Sequence, residues 1–332
     1  MPEGGGPWSD DVLAAAAAEV AAWEAGGERI AAGDDQVWFR VLPATADAGN
    51  LPLLVLHGFP TCSFDWRLVV DRLRAERDVI VLDLVGFGLS SKPDQRYGLR
   101  GYADGVEAVV AHLELEYVDL VTHDLGDSVG GELLARSLDG TLGFGIGRRV
   151  LTNGSIYIDM AQLTVGQQLL LGLPDEQNDL VGADEGVSFA NGVAGTFADD
   201  AEVPVVELAA LAQLARRDGG LSLLPRTIRY IEDRRAEERR FTGAIEVHPS
   251  PVGVVWGDQD PVAVHAMAEH FVEARPDTAL TTLEGVGHYP MVESPERFAD
   301  AVLAMLDGLE PLDPDPGDDG DLAGEPAEAD GA

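Results

Sequence analysis

Cysteine and lysine are almost missing from this chain of 332 residues, which holds only Cys62 and Lys92. A lone cysteine cannot close an intramolecular disulfide, and no Cys/His cluster has the spacing of a metal site. No apolar run approaches the roughly 20 residues that span a bilayer, which excludes a membrane span. Residues 1–11 are acidic and Gly-rich where a secretory signal needs a basic start, and the Ala-rich run that follows carries Glu19 and Glu24. Export is therefore not expected, and a cytoplasmic setting is. Positive charge is also scarce: 22 basic residues face 59 acidic ones, for a formal net charge of -37. Nucleic acid and anionic membrane surfaces are poor partners for such a surface, which leaves a small-molecule substrate and a monomer or homodimer as the expectation.

The acid-rich, lysine-poor balance is similar to that of proteins from salt-accumulating halophiles, where salt screens the self-repulsion of a compact acidic body. An ordinary acidic protein from a GC-rich genome is the alternative. Part of the excess is local, because residues 310–332 hold 9 acids and no base. Subtracting them leaves -37 + 9 = -28 for residues 1–309. That terminal stretch has too few apolar residues to offset the entropy of ordering, and it reads as a disordered tail.

From residue 51 onward, short apolar runs alternate with helical patterns, as in βαβ units of a mostly parallel sheet. The strands are expected at 51–56, 79–84, 118–122, 149–152, 252–256 and 279–283, with helices at 67–76, 102–115, 126–138, 262–273 and 295–309. Upstream, Asp10 or Asp11 caps a helix running to about Ala25, and 29–32 with 36–42 forms a hairpin. The alternation lapses between 155 and 246, where helical segments at 203–217 and 224–239 lack strong strands. The predicted organisation is α/β: a core from 1–154 and 247–309, with a helical lid at 155–246 inserted after the sixth main strand. A separate helical domain is the other reading of that interval.

Three strand ends carry polar residues that packing alone does not require. His57-Gly58-Phe59-Pro60 follows the first strand, and its glycine lets the next amide face a developing negative charge. Thr122-His123-Asp124-Leu125-Gly126 marks an abrupt strand-to-helix elbow, which forces the middle residue, Asp124, outward. The following helix amino end stabilises a carboxylate there, although the same position also suits a plain helix cap. Finally, Asp260 and His288 each follow a later strand, so the order acid, acid, histidine converges at one sheet edge.

These marks, with Asp83-Leu84-Val85-Gly86-Phe87-Gly88 and Gly287-His288, resemble the α/β-hydrolase superfamily over about residues 37–309. The resemblance is to its aspartate-nucleophile branch: epoxide hydrolases, haloalkane dehalogenases and the mesoderm-specific transcript group. Thr122 to Asp127 and Leu151-Thr152-Asn153-Gly154-Ser155 look closest to the last. The resemblance implies that Asp124 attacks an sp3 carbon to form an alkyl ester, and that His288, oriented by Asp260, activates the water that hydrolyses it. The amides of Phe59 and Leu125 would form the oxyanion hole, and neither metal nor organic cofactor is implied.

Substrate class turns on how the leaving group is stabilised. Dehalogenases of this kind usually place tryptophan after the nucleophile and often asparagine after His-Gly; here Leu125 and Phe59 stand in those places. Epoxide opening uses lid phenols as proton donors, and Tyr157 and Tyr230 are the tyrosines of the lid interval, each also explicable as packing. An epoxide is thus expected ahead of a haloalkane. A carboxylic-ester hydrolase would need serine or cysteine at position 124, and a noncatalytic binding protein on the same fold is the remaining alternative. His123 is expected to be a structural hydrogen-bonding residue.

Overall fold

Apolar runs buried on both faces form the centre of the molecule. The computed structural model describes residues 8–46 and 48–312 and contains an eight-stranded sheet. Its strands are β1 (Glu28–Ala32), β2 (Asp35–Leu42), β3 (Leu53–Leu56), β4 (Val79–Leu82), β5 (Tyr117–His123), β6 (Gly145–Thr152), β7 (Val252–Gly257) and β8 (Ala279–Leu283). They lie in the order β1-β2-β4-β3-β5-β6-β7-β8. The hairpin β1/β2 is antiparallel and joins β4 antiparallel, and the rest of the sheet is parallel. Every residue of β3 and β4 is buried, as a strand covered by helices on both faces requires. Helix Leu125–Leu138 packs on β3, β5 and β6, and helix Pro295–Gly308 packs on β6, β7 and β8.

Three local expectations are corrected. Helix Asp10–Glu24 is capped by Ser9, whose hydroxyl accepts the Val12 N–H at 3.4 Å, rather than by Asp10 or Asp11. The long helix expected at 67–76 is only a 3-10 turn, Ser63–Trp66, and one turn of α-helix, Val70–Leu73. The stretch expected as one helix at 224–239 is broken into Leu224–Thr227, Tyr230–Ala236 and the start of Glu238–Val247. One cause is Arg229, whose guanidinium reaches the carbonyls of Leu173 at 2.5 Å and Pro225 at 2.7 Å and holds the chain at the first break.

Between β6 and β7 the chain is helical, as the lapse in alternation predicts. It carries Val165–Gly172, Val187–Ala194, Val205–Arg216 and the three segments just named. The last of these lies on helix Leu125–Leu138, where Gly131 is needed: a Cβ there would stand 2.9 Å from the Phe241 carbonyl. Glu132 accepts from Arg240 Nε at 2.6 Å across the same contact. The acidic segment expected as a tail falls, from residue 313 on, outside the described residues. No helix among the described residues is long and apolar enough to cross a membrane.

Candidate active site

Asp124 stands between β5 and helix Leu125–Leu138 with φ 48° and ψ -111°, a conformation that costs a non-glycine residue about 1–3 kcal/mol. Its neighbours make that bend possible. A Cβ on Gly126 would lie 2.6 Å from the Leu56 carbonyl, and one on Gly58 would lie 2.7 Å from Asp124 Cβ. The strained elbow thus brings β3 and β5 close enough for the loop after β3 to touch the carboxylate. The Phe59 N–H donates to Asp124 Oδ1 at 2.7 Å, and the Leu125 amide also bonds the carboxylate. Asp124 is 2% exposed. Burial raises its pKa above the usual carboxylate value, against the opposing pull of His288 and the two amides.

The loops after β7 and β8 bring the other two predicted residues together. His288 Nδ1 donates to Asp260 Oδ2 at 2.8 Å, and His288 Nε2 stands 3.7 Å from Asp124 Oδ2. Asp260 is fixed in turn, since its Oδ1 accepts the amides of Val262 at 2.7 Å and Ala263 at 2.9 Å. Burial lowers the basicity of His288, but the charges of Asp260, Asp124 and Glu293 outweigh it and lift its pKa to about 9. The acidic neighbours thus favour the protonated imidazole in the resting site.

Two supporting residues escape sequence reasoning. Asn153, at the end of β6 with φ 44°, donates Nδ2 to Asp260 Oδ2 at 2.8 Å while its Oδ1 accepts the Gly257 N–H at 3.0 Å. Glu293, five residues past the histidine, accepts the amides of Gly287 and Ala198 at 2.8 Å each and of Tyr289 at 2.9 Å. The Thr196 carbonyl accepts the His288 N–H at 3.0 Å, so the histidine loop is tied to the helical interval. Asn153 had a readable signal, its place directly after a strand; Glu293 had only its proximity to His288. His123 bonds the His288 carbonyl through Nε2 at 2.7 Å, in the structural position expected of it.

The two tyrosines separate. Tyr157 is a correction: its hydroxyl donates to Glu246 at 2.8 Å and its ring rests on His270 at 4.6 Å, in a surface groove with Ala135 and Arg239. The packing explanation holds for it. Tyr230 is buried, its ring 5.9 Å from Phe59, and its hydroxyl has no hydrogen bond. Burial and the charge of Asp124 push its pKa well above the ordinary phenol value, so it carries its proton at neutral pH.

A cavity of about 440 Å³ reaches this centre. Phe59, His288, Tyr289, Val262, Leu170 and Leu221 contribute to its wall, and Asp124 lies behind Phe59 and His288. Leu169 and Leu180 also line it while remaining 63% and 84% exposed, so an apolar mouth opens to solvent.

The sequence profile of the alpha/beta hydrolase family matches residues 53–301, three quarters of the chain and all three strand-end loops. The chain belongs to that family. This α/β hydrolase is 37% identical to LipZ of Mycobacterium tuberculosis over 287 residues, 86% of this chain and 96% of LipZ. It is 30% identical to the human mesoderm-specific transcript homolog protein over 265 residues, 77% of this chain and 79% of that protein. Among solved structures it is similar to the epoxide hydrolase CorEH, with a TM-score of 0.66 at 18% identity, covering 85% of this chain and 98% of that one. At that identity the likeness concerns the fold of the α/β hydrolase alone.

Proposed function

We propose that this α/β hydrolase opens an epoxide through a covalent alkyl ester on Asp124. The observation that carries the reading is the division of labour between the two carboxylate oxygens. Oδ1 is bound by the Phe59 amide, and Oδ2 faces His288 Nε2. Attack by Oδ2 on an epoxide carbon forms the ester bond and breaks a C–O bond, whose electron pair goes to the oxygen. The unpartnered phenol of Tyr230 protonates that oxygen.

Esterification removes the negative charge of Asp124, one of the causes that hold the proton on His288. The imidazolium proton restores the phenol, and the neutral imidazole accepts a proton from the water that attacks the ester carbonyl. The oxyanion forms on Oδ1, already bound by the Phe59 amide, and its collapse breaks the bond to Oδ2 and releases a diol, which takes the proton of the added hydroxyl. Segment 155–246 serves as the lid over this chemistry.

An epoxide is preferred to a haloalkane because no tryptophan lies in 155–246. The nearby Trp256 indole N–H is also already spent on the Ala263 carbonyl at 2.8 Å. The test is to incubate a His288→Asn variant with panels of epoxides and haloalkanes and to read intact mass. The expected result is an alkyl adduct on Asp124 with epoxides. Adducts with haloalkanes alone would replace the reading by dehalogenation, and none with either panel would favour a noncatalytic binding protein.

A further inference from the structure

Arg234 lies on helix Tyr230–Ala236, one turn beyond Tyr230, and is 5% exposed. It makes neither an ion pair nor a hydrogen bond, and its buried Nη2 has no partner. Burial lowers its basicity, and the carboxylates whose charge opposes that are Asp124, Glu238 and Asp127. An unpaired charge in the interior is strongly unfavourable, because lost hydration goes uncompensated. In a chain with 59 acids and 22 bases, such a cation could easily have been given a carboxylate. Other buried arginines have partners: Arg148 meets Asp119 at 2.6 Å, and Arg149, without a carboxylate, donates to the carbonyls of Ile245 at 3.1 Å and Ser250 at 3.2 Å.

Arg234 also lines a second cavity, of about 460 Å³, bounded by Gln162, Gln168, Arg235, Ile158 and Ile231 among others. No acidic residue contributes to its wall. Arg235 is exposed and likewise makes no ion pair or hydrogen bond. A buried unpartnered guanidinium, a second exposed one and the Gln162 amide along one wall, in a strongly acidic protein, describe a receptor for an anion; the Gln168 amide is spent on the Leu163 carbonyl at 2.8 Å. A planar guanidinium fork matches a carboxylate, which accepts two parallel N–H bonds, better than it matches a spherical halide.

We propose that the cavity lined by Arg234 is a carboxylate-binding site in which the bound carboxylate pairs with the Arg234 guanidinium. It stands independently of the epoxide reading above.

Butyrate, which has no electrophilic carbon, tests the subsite apart from the chemistry. Its binding to the full chain is measured by calorimetry at constant ionic strength, with chloride as the halide control and circular dichroism as the check on folding. Saturable binding is expected for the natural chain, at least tenfold weaker for Arg234→Gln, intermediate for Arg234→Lys and weakened less than in Arg234→Gln for the more exposed Arg235→Gln. Asp124→Asn, which removes a neighbouring negative charge, should tighten it. Should Arg234→Gln fail to fold, the drop in Arg234→Lys and the gain in Asp124→Asn decide. Absence of saturable binding, equal binding by the Arg234 variants, or chloride competing on equal terms with butyrate would each overturn the subsite. An Asp124 adduct from a neutral epoxide, read separately, reports on the covalent mechanism alone.

Discussion

Asp124 and Arg234 are both charged and both nearly sealed from water, yet one is held by neighbouring groups and the other by none. The carboxylate belongs to the sheet edge, where the amides of Phe59 and Leu125 and the imidazole of His288 surround it before any substrate arrives. The guanidinium belongs to the helical interval, whose short segments leave Val165, Leu169 and Leu180 more than half exposed. The difference teaches that the sheet side is preorganised for reaction, while the helical side is built to be completed by what binds.

The sharpest way to break this comparison is to disable the sheet side alone. Asp124→Asn should lower turnover by about 10⁴-fold or more and abolish the covalent adduct, while circular dichroism stays unchanged. Next in size is Tyr230→Phe, expected to slow epoxide opening by about 10²–10⁴-fold in single-turnover measurements, because a general acid is lost without a change in shape. Asn153→Ala removes one of the bonds to Asp260 Oδ2 and leaves the Gly257 N–H without its side-chain acceptor, at a cost of about 1–3 kcal/mol. It should slow ester hydrolysis more than ester formation, so the adduct accumulates in a quench-flow mass assay.

The pH dependence sharpens the same contrast. His288 lowers the pKa of Asp124, so the group that must be ionised for attack loses that help in His288→Asn. The acid limb of adduct formation, measured from pH 4 upward, should move to higher pH in the variant; movement to lower pH would contradict the charge assignment. The smallest effect belongs to the mouth, where Leu180→Ser should change stability by no more than about 0.5 kcal/mol in a denaturant titration.

The parallel strands were legible because burial on both faces demands continuous apolar runs, and β3, β4 and β7 are such runs. The positions of Asp124, Asp260 and His288 stood out because each lies in the turn or short loop after a strand, at the same edge of the sheet. Helix ends and breaks were less so: Ser9 competes with two adjacent aspartates as a cap, and Arg229 interrupts a helix through carbonyls more than fifty residues away in the chain. Tyr157 failed for the same reason. Its composition fits a phenolic donor, but Glu246, distant in sequence, holds its hydroxyl elsewhere. The spacing of Tyr230 and Arg234, four apart and thus on one helical face, was visible in the chain but had no meaning until both proved buried.

Glu293 has a consequence for how anything enters. By gripping Gly287 and Ala198 with one oxygen, beside the bond from His288 to Thr196, it bolts the frame of the doorway to the loop that carries the imidazole. Were the whole roof to swing outward, those fastenings would tear and the histidine would leave its post. The segment before Thr196 differs: helix Val165–Gly172 buries none of its residues, and Arg229 grips the carbonyls at its far end.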